Sequence, residues 1–121
     1  MESVKITFNS STGETPCADG VLGEWYDGGF FLEYFYCGDC CSIAYDGKSL
    51  TQSRAGTTNL KIEFIENKNT LCTLSECGGV GEIPVFTKSL RVWDTPAGKM
   101  IKIVYNLGGE DIRLEISAVR K

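Results

Sequence analysis

The amino-acid sequence predicts one all-β domain of antiparallel strands that spans residues 1–121. Several short runs alternate apolar with polar residues, which is the period of a strand with one buried face. Turn signals separate these runs and use most of the 14 glycines. No segment of ten or more residues shows the 3.6-residue period of a helix. The length suits a single ordinary domain.

The strands are predicted in the following order. The first covers residues 2–9, where Val4, Ile6 and Phe8 share one face. An aromatic strand follows at residues 29–36. The polar segment 48–58 is predicted to be a loop or a single helical turn. The alternation then recurs at residues 60–64, 90–92, 101–105 and 112–116.

Turn signals predict how these strands connect. Asp-Gly pairs that begin at Asp19, Asp27 and Asp46 indicate hairpin turns. Turns at 95–98 and 106–109 join the last three strands into consecutive hairpins, so the sequence predicts a C-terminal meander. Short antiparallel strands with glycine-rich turns form a β-sandwich or a β-barrel. The sandwich is the favoured prediction, and the barrel is the alternative.

Charge and hydropathy restrict the predicted partners. The net charge is −4 and the sequence pI is about 4.8. An acidic chain with scattered basic residues lacks the positive face that phosphate backbones and anionic membranes attract, so no nucleic-acid partner is predicted. No apolar run approaches the roughly 20 residues that span a bilayer, so no membrane insertion is predicted either. The first residues lack the layout of a signal peptide.

Six cysteines are the most unusual compositional feature. An even number in a short chain favours disulfide bonds and a secreted or extracytoplasmic protein, with reduced cysteines in a cytoplasmic protein as the alternative. Adjacent cysteines should reach different partners, because a bond between them strains the peptide. A zinc site would need ligands beyond one C-x-x-C pair, and the chain has no histidine, so no metal or cofactor is predicted. The disulfide candidates are Cys17, Cys37, Cys40, Cys41, Cys72 and Cys77.

The aromatic strand carries the leading functional hypothesis. Residues 25–45 contain eight of the 13 aromatic residues, and the strand within them is apolar on both faces. Such a strand is either covered on both faces or offers one face to a ligand. Aromatic rings bordered by carboxylates suit stacking on sugars, which predicts a non-catalytic binding or adhesion module for a carbohydrate or protein ligand. The predicted ligand-binding residues are Trp25, Tyr26, Phe31, Glu33 and Phe35.

Two other functions use the same strand. The aromatic residues could form a homo-oligomer interface in a structural or assembly protein. Alternatively, Glu33 between Phe31 and Phe35 could serve a small carboxylate-dependent hydrolase. A glycosidase needs a second, facing carboxylate, and the sequence identifies none. The lack of histidine also excludes a Ser-His-Asp triad, so the sequence favours a protein that is not an enzyme.

Overall fold

The computed structural model describes residues 1–13, 15–76 and 78–121. Within these residues there are ten β-strands and no helix. None of the described residues therefore belongs to a helix that could span a membrane. The strands are β1 (Glu2–Ser10), β2 (Cys17–Glu24), β3 (Phe30–Tyr36), β4 (Asp39–Tyr45), β5 (Ser49–Ala55), β6 (Asn59–Ile65), β7 (Asn69–Glu76), β8 (Gly79–Thr95), β9 (Gly98–Leu107) and β10 (Glu110–Arg120).

The strands form a closed, antiparallel barrel. Each strand pairs with its neighbours in sequence, and β1 also pairs with β10. In this closing pair Val4 lies opposite Arg120, while its other side faces Gly20 of β2. The all-β prediction and its barrel alternative are confirmed, whereas the favoured sandwich was wrong. The closing contact joins the two ends of the chain, and local alternation carries no information about such a distant pairing.

The predicted C-terminal meander is confirmed. Strands β8, β9 and β10 pair in order, so that Leu90, Ile103 and Leu114 lie side by side across the sheet. The turns fall at the predicted positions, after Thr95 and after Leu107. A register shift between Thr87 and Ser89 interrupts the β8–β9 ladder as a β-bulge.

Two local predictions were wrong. The segment predicted as a loop at 48–58 contains β5, which follows β4 through the predicted Asp46 turn. The Asp46 carboxylate holds that turn by accepting hydrogen bonds from the backbone N–H groups of Lys48 and Ser49. The Asp19-Gly20 pair lies inside β2 instead of forming a turn. A Cβ atom at Gly20 would collide with the Glu33 carbonyl oxygen, so this glycine serves close strand packing.

Inward-facing side chains fill most of the barrel. Twelve large apolar residues in this interior are 0–1% exposed, and we call them the filled layer. At the end near the start of β3, Lys99 is also buried, with its ammonium 5.2 Å from the Phe30 ring centroid and paired with Asp94. This end of the barrel is therefore closed. The filled layer consists of Val4, Ile6, Leu22, Phe30, Leu32, Ile43, Leu50, Phe64, Val85, Ile101, Ile103 and Ile116.

Candidate functional site

The opposite end of the barrel is open and forms a cavity, which we call the mouth. Its volume is 320 Å³. Inward-facing residues in its wall keep 7–9% of their surface exposed, in contrast with 0–1% in the filled layer. Near this end, inward-facing side chains from opposite walls of the barrel therefore no longer touch one another, and the space between them stays open. The wall residues with this residual exposure are Phe8, Tyr34, Cys41, Tyr105, Ile112 and Leu114.

Strand alternation explains how the sequence builds the mouth. Every second residue of a barrel strand points inward. The inward series of β5 runs from Leu50 in the filled layer through Gln52 to Arg54 at the mouth. In β1 the corresponding series ends with Phe8 and Ser10. Interior polarity therefore rises from the filled layer to the rim, as it must where the interior meets water.

Two tyrosines give the wall a mixed apolar and polar character. The Phe8 and Tyr34 rings lie 5.5 Å apart between centroids. Burial raises the pKa of Tyr34, and the neighbouring Cys41 adds to this effect, while a hydrogen bond with Gln52 opposes it. Burial likewise raises the pKa of Tyr105. Both phenols therefore remain neutral at physiological pH and offer hydroxyl groups within an otherwise apolar wall.

An ion pair stands at the rim of the mouth. The Arg54 Nε donates a hydrogen bond of 2.6 Å to Asp39 Oδ2, and the Thr57 N–H donates one of 2.9 Å to Asp39 Oδ1. These two hydrogen bonds, that from Thr57 first, lower the pKa of Asp39. The Arg54 guanidinium also lies 5.7 Å from the Tyr36 ring centroid. The side chain of Arg54 is thereby held on two sides.

The ligand-binding residues predicted from the sequence lie elsewhere, on the outside of the barrel. Phe31, Glu33 and Phe35 point outward from β3, because the inward positions are taken by the alternate residues. Phe35 is 71% exposed, and Glu33 beside it is also exposed. Phe31 is half-buried, since its ring packs on Gly23. The interpretation of β3 as a strand covered on both faces was therefore wrong.

The structure brings only some of these residues together. The Trp25 and Phe31 ring centroids are 5.7 Å apart, whereas Tyr26 is fully exposed in the turn before β3. Glu33 and Phe35 line a groove of 580 Å³ on the outer face. We call this groove, together with the Trp25 and Phe31 pair, the outer aromatic face. It is separated from the mouth by the thickness of the sheet.

The cysteines do not form the predicted disulfides within the described residues. Five cysteines are free, and Cys77 lies outside the described part of the chain. Cys40 is exposed while Cys41 is buried, because consecutive strand residues point to opposite faces. Burial raises the pKa of the Cys41 and Cys72 thiols, which keeps them protonated. No cluster of three or more potential metal ligands occurs among residues 1–13, 15–76 and 78–121.

Sequence reasoning missed the mouth residues. Tyr34 and Tyr105 are far apart in sequence, and only barrel closure places them around one cavity. A signal was nevertheless present in the inward series of β5, where Gln52 and Arg54 follow Leu50. Polar residues at alternate positions on the apolar side of a strand indicate the end of a core, or a site.

Comparison with known proteins assigns a family. A family model described as Domain of unknown function (DUF1934) matches residues 40–116. The chain belongs to this family. A similar solved structure is the ywiB protein from Bacillus subtilis, with a TM-score of 0.85 and 14% identity over 99% of this chain and 92% of that chain. At this identity the likeness shows a shared fold. No curated protein matched the chain.

Proposed function

We propose that this DUF1934 protein is a non-catalytic binding protein that holds a small, largely apolar ligand in the barrel mouth. The observation that carries the proposal is the 320 Å³ cavity at the open end of an otherwise filled barrel. Small-molecule sites are typically concave, largely apolar cavities of about 300–1,000 Å³ with a few polar groups. Such a cavity forms where inward-facing side chains at one end of the barrel no longer touch. The packing of the filled layer is unaffected by it.

The wall defines the kind of ligand. Phe8, Ile112 and Leu114 offer apolar surface, and the tyrosines Tyr34 and Tyr105 offer ring faces with neutral hydroxyls. The filled layer limits the depth of the cavity, which suits a bicyclic aromatic compound or a short acyl chain better than a long lipid. A ligand of this kind would bury apolar surface on both partners at about 25 cal/mol per Å².

The chemistry of the mouth supports binding over catalysis. The chain has no histidine, and Cys41 in the wall is held as the protonated thiol. The catalytic candidate of the sequence, Glu33, is exposed on the outer aromatic face instead of lying in the mouth. An acid catalyst of this kind needs a carboxylate that is partly removed from water, and the exposed position of Glu33 does not provide such a site.

A neutral fluorescent probe tests the proposal. N-phenyl-1-naphthylamine becomes fluorescent when it enters an apolar site, so titration gives a dissociation constant. Ala18 lines the mouth, and the substitution Ala18→Phe would occupy the cavity and weaken probe binding at least tenfold. The control is Val119→Phe on the exposed outer face of β10, away from both the mouth and the outer groove, which should leave the affinity unchanged. Equal probe affinity for wild type and a folded Ala18→Phe variant would refute the proposal.

The outer aromatic face supports a second candidate, a carbohydrate or protein ligand bound outside the barrel. The observation in its favour is the 71% exposure of Phe35 beside the Glu33 carboxylate. Affinity electrophoresis in gels that contain polysaccharide tests the carbohydrate ligand. Phe35→Ala should abolish any retardation, whereas Ala18→Phe should retain it. A smaller sedimentation coefficient for Phe35→Ala would instead support the homo-oligomer hypothesis.

A further inference from the structure

Arg54 is placed to contact one end of a ligand in the mouth. It is the last inward residue of β5, and its side chain is 34% exposed. The apolar part of a ligand would lie deeper, against Tyr34 and Tyr105. The end that emerges toward solvent would therefore meet the guanidinium group.

The guanidinium has donors to spare. Arginine carries five N–H donors, and one of them, on Nε, is used by Asp39. Within the described part of the chain, neither Nη group has a hydrogen-bond partner. The contact with Asp39 thus occupies one edge of the group and leaves N–H donors that can bind two oxygens of a carboxylate, sulfonate or phosphate in parallel.

The position of Arg54 is fixed before any ligand arrives. Asp39, its partner, is only 2% exposed and is itself held by the Thr57 N–H. Gly56 allows this arrangement, because a Cβ atom there would collide with the Asp39 carboxylate. Tyr36 lies beside the other side of the guanidinium. A side chain held in this way loses little conformational entropy when it binds a ligand.

The electrostatics of the mouth differ from those of the whole chain. The protein carries a net charge of −4. Among the described residues that line the mouth, however, Arg54 is the only charged one. Asp39 balances that charge from behind the rim and already accepts two hydrogen bonds. The described part of the wall therefore combines one positive group with neutral tyrosine hydroxyls, and no carboxylate among these described lining residues would repel an anion.

We infer that the mouth selects amphipathic acids, with the apolar part of the ligand against Tyr34 and Tyr105 and its oxyanion on the Nη groups of Arg54. This inference rests on the proposed binding function and adds the chemical class of the ligand. A free carboxylate, a sulfonate and a phosphate monoester share the required chemistry.

Two matched probes test the inference. N-phenyl-1-naphthylamine is neutral, and 8-anilino-1-naphthalenesulfonate has the same rings with an added sulfonate. Arg54→Gln should weaken binding of the sulfonate at least tenfold and binding of the neutral probe less than threefold. Arg54→Lys should give an intermediate loss, because lysine keeps the charge without the planar donor pair. Arg113→Gln is the control, since Arg113 points outward from β10 between the mouth residues Ile112 and Leu114.

The outcomes separate the two proposals. If both probes bind in the mouth and Arg54→Gln weakens them equally, the inference about oxyanions is overturned and the binding function stands. If the neutral probe does not bind at all, the binding function itself fails. Should Arg54→Gln be unfolded, the double variant Asp39→Asn/Arg54→Gln removes both charges and is titrated in its place. It should show the same selective loss of the sulfonate probe.

Competition identifies the source of the oxyanion. 1-Naphthoate and 1-naphthyl phosphate are each used to displace the bound sulfonate probe from wild type. Displacement by the carboxylate favours a free organic acid as the ligand, and stronger displacement by the phosphate favours a phosphate monoester. Displacement by neither, at concentrations where neutral naphthalene compounds compete, would overturn the inference.

Discussion

The division of the barrel into a filled layer and a mouth predicts different costs for the same substitution at two positions of one strand. Ile116 and Ile112 both point inward from β10, four residues apart. Ile116 is 1% exposed in the filled layer, and Ile112 is 7% exposed in the wall of the mouth. We expect Ile116→Ala to destabilise the protein considerably more than Ile112→Ala.

The expected magnitudes follow from the surroundings of each side chain. Both substitutions delete three carbons, which costs about 2.4 kcal/mol at about 0.8 kcal/mol per buried carbon. At Ile116 the deletion also leaves a closed void, and the cavity term brings the loss to about 4 kcal/mol, within the usual range for Ile→Ala. At Ile112 the deletion only widens an open cavity, so the loss stays at about 2 kcal/mol. The difference is about 2 kcal/mol.

Urea unfolding measures this difference. At an m-value of about 2 kcal/mol per M, the two midpoints should differ by about 1 M, with equal m-values for both variants. Ile116→Val and Ile112→Val form a milder pair, for use if Ile116→Ala does not fold. Equal midpoints for the two alanine variants, or a lower one for Ile112→Ala, would show that the mouth is as tightly packed as the filled layer and would refute the division.

Three further predictions follow from the rim and the cysteines. Gly56→Ala should cost about 1–3 kcal/mol in urea unfolding, because its positive φ and the nearby Asp39 carboxylate both exclude a Cβ atom. The pKa of Asp39 lies below its ordinary 3.8, so this group stabilises the fold above that pH and the contribution disappears as pH falls through the folded pKa. Asp39→Asn should therefore lower the urea midpoint at neutral pH, and this deficit should shrink progressively as the pH is lowered below 3.8. Maleimide labelling of the native protein, followed by peptide mass spectrometry, should modify the exposed cysteines long before the buried ones, and a disulfide at any exposed position would contradict this. The exposed set is Cys17, Cys37 and Cys40, and the buried set is Cys41 and Cys72.

Local patterns predicted the parts of the fold that are local. The C-terminal meander follows from alternation and turns because each pairing joins strands that are adjacent in sequence. Strand β5 was missed because two of its inward residues, Gln52 and Arg54, are polar and hide the alternation that Leu50 begins. Closure of the barrel by pairing of β1 with β10 was predicted only as an alternative, because this pairing depends on the register of the whole sheet.

The sequence predicted a site on β3, and the structure places those predicted residues on its outer face, whereas the mouth is lined by its inward face. Composition identified β3 as unusually aromatic, yet composition does not say which face of a strand points inward. Tyr34 and Phe35 are adjacent in sequence, and the pleat sends one to the mouth and the other to the outer aromatic face. The contribution of Tyr105 required the closed sheet and could not be read from β3 alone.

The same alternation makes the two proposed binding surfaces separable by experiment. Arg54 and Ala18 line the mouth, whereas Phe35 faces outward on the strand that pairs with β2 and β4. A substitution at Phe35 leaves the wall of the mouth intact, and a substitution at Ala18 leaves the outer rings intact. If a ligand no longer binds after a substitution on one surface but still binds after a substitution on the other, it belongs to the surface whose substitution abolished binding. If both substitutions weaken binding of a ligand equally, the reason would be that the variants are unfolded. The urea midpoint of each variant shows whether it is folded.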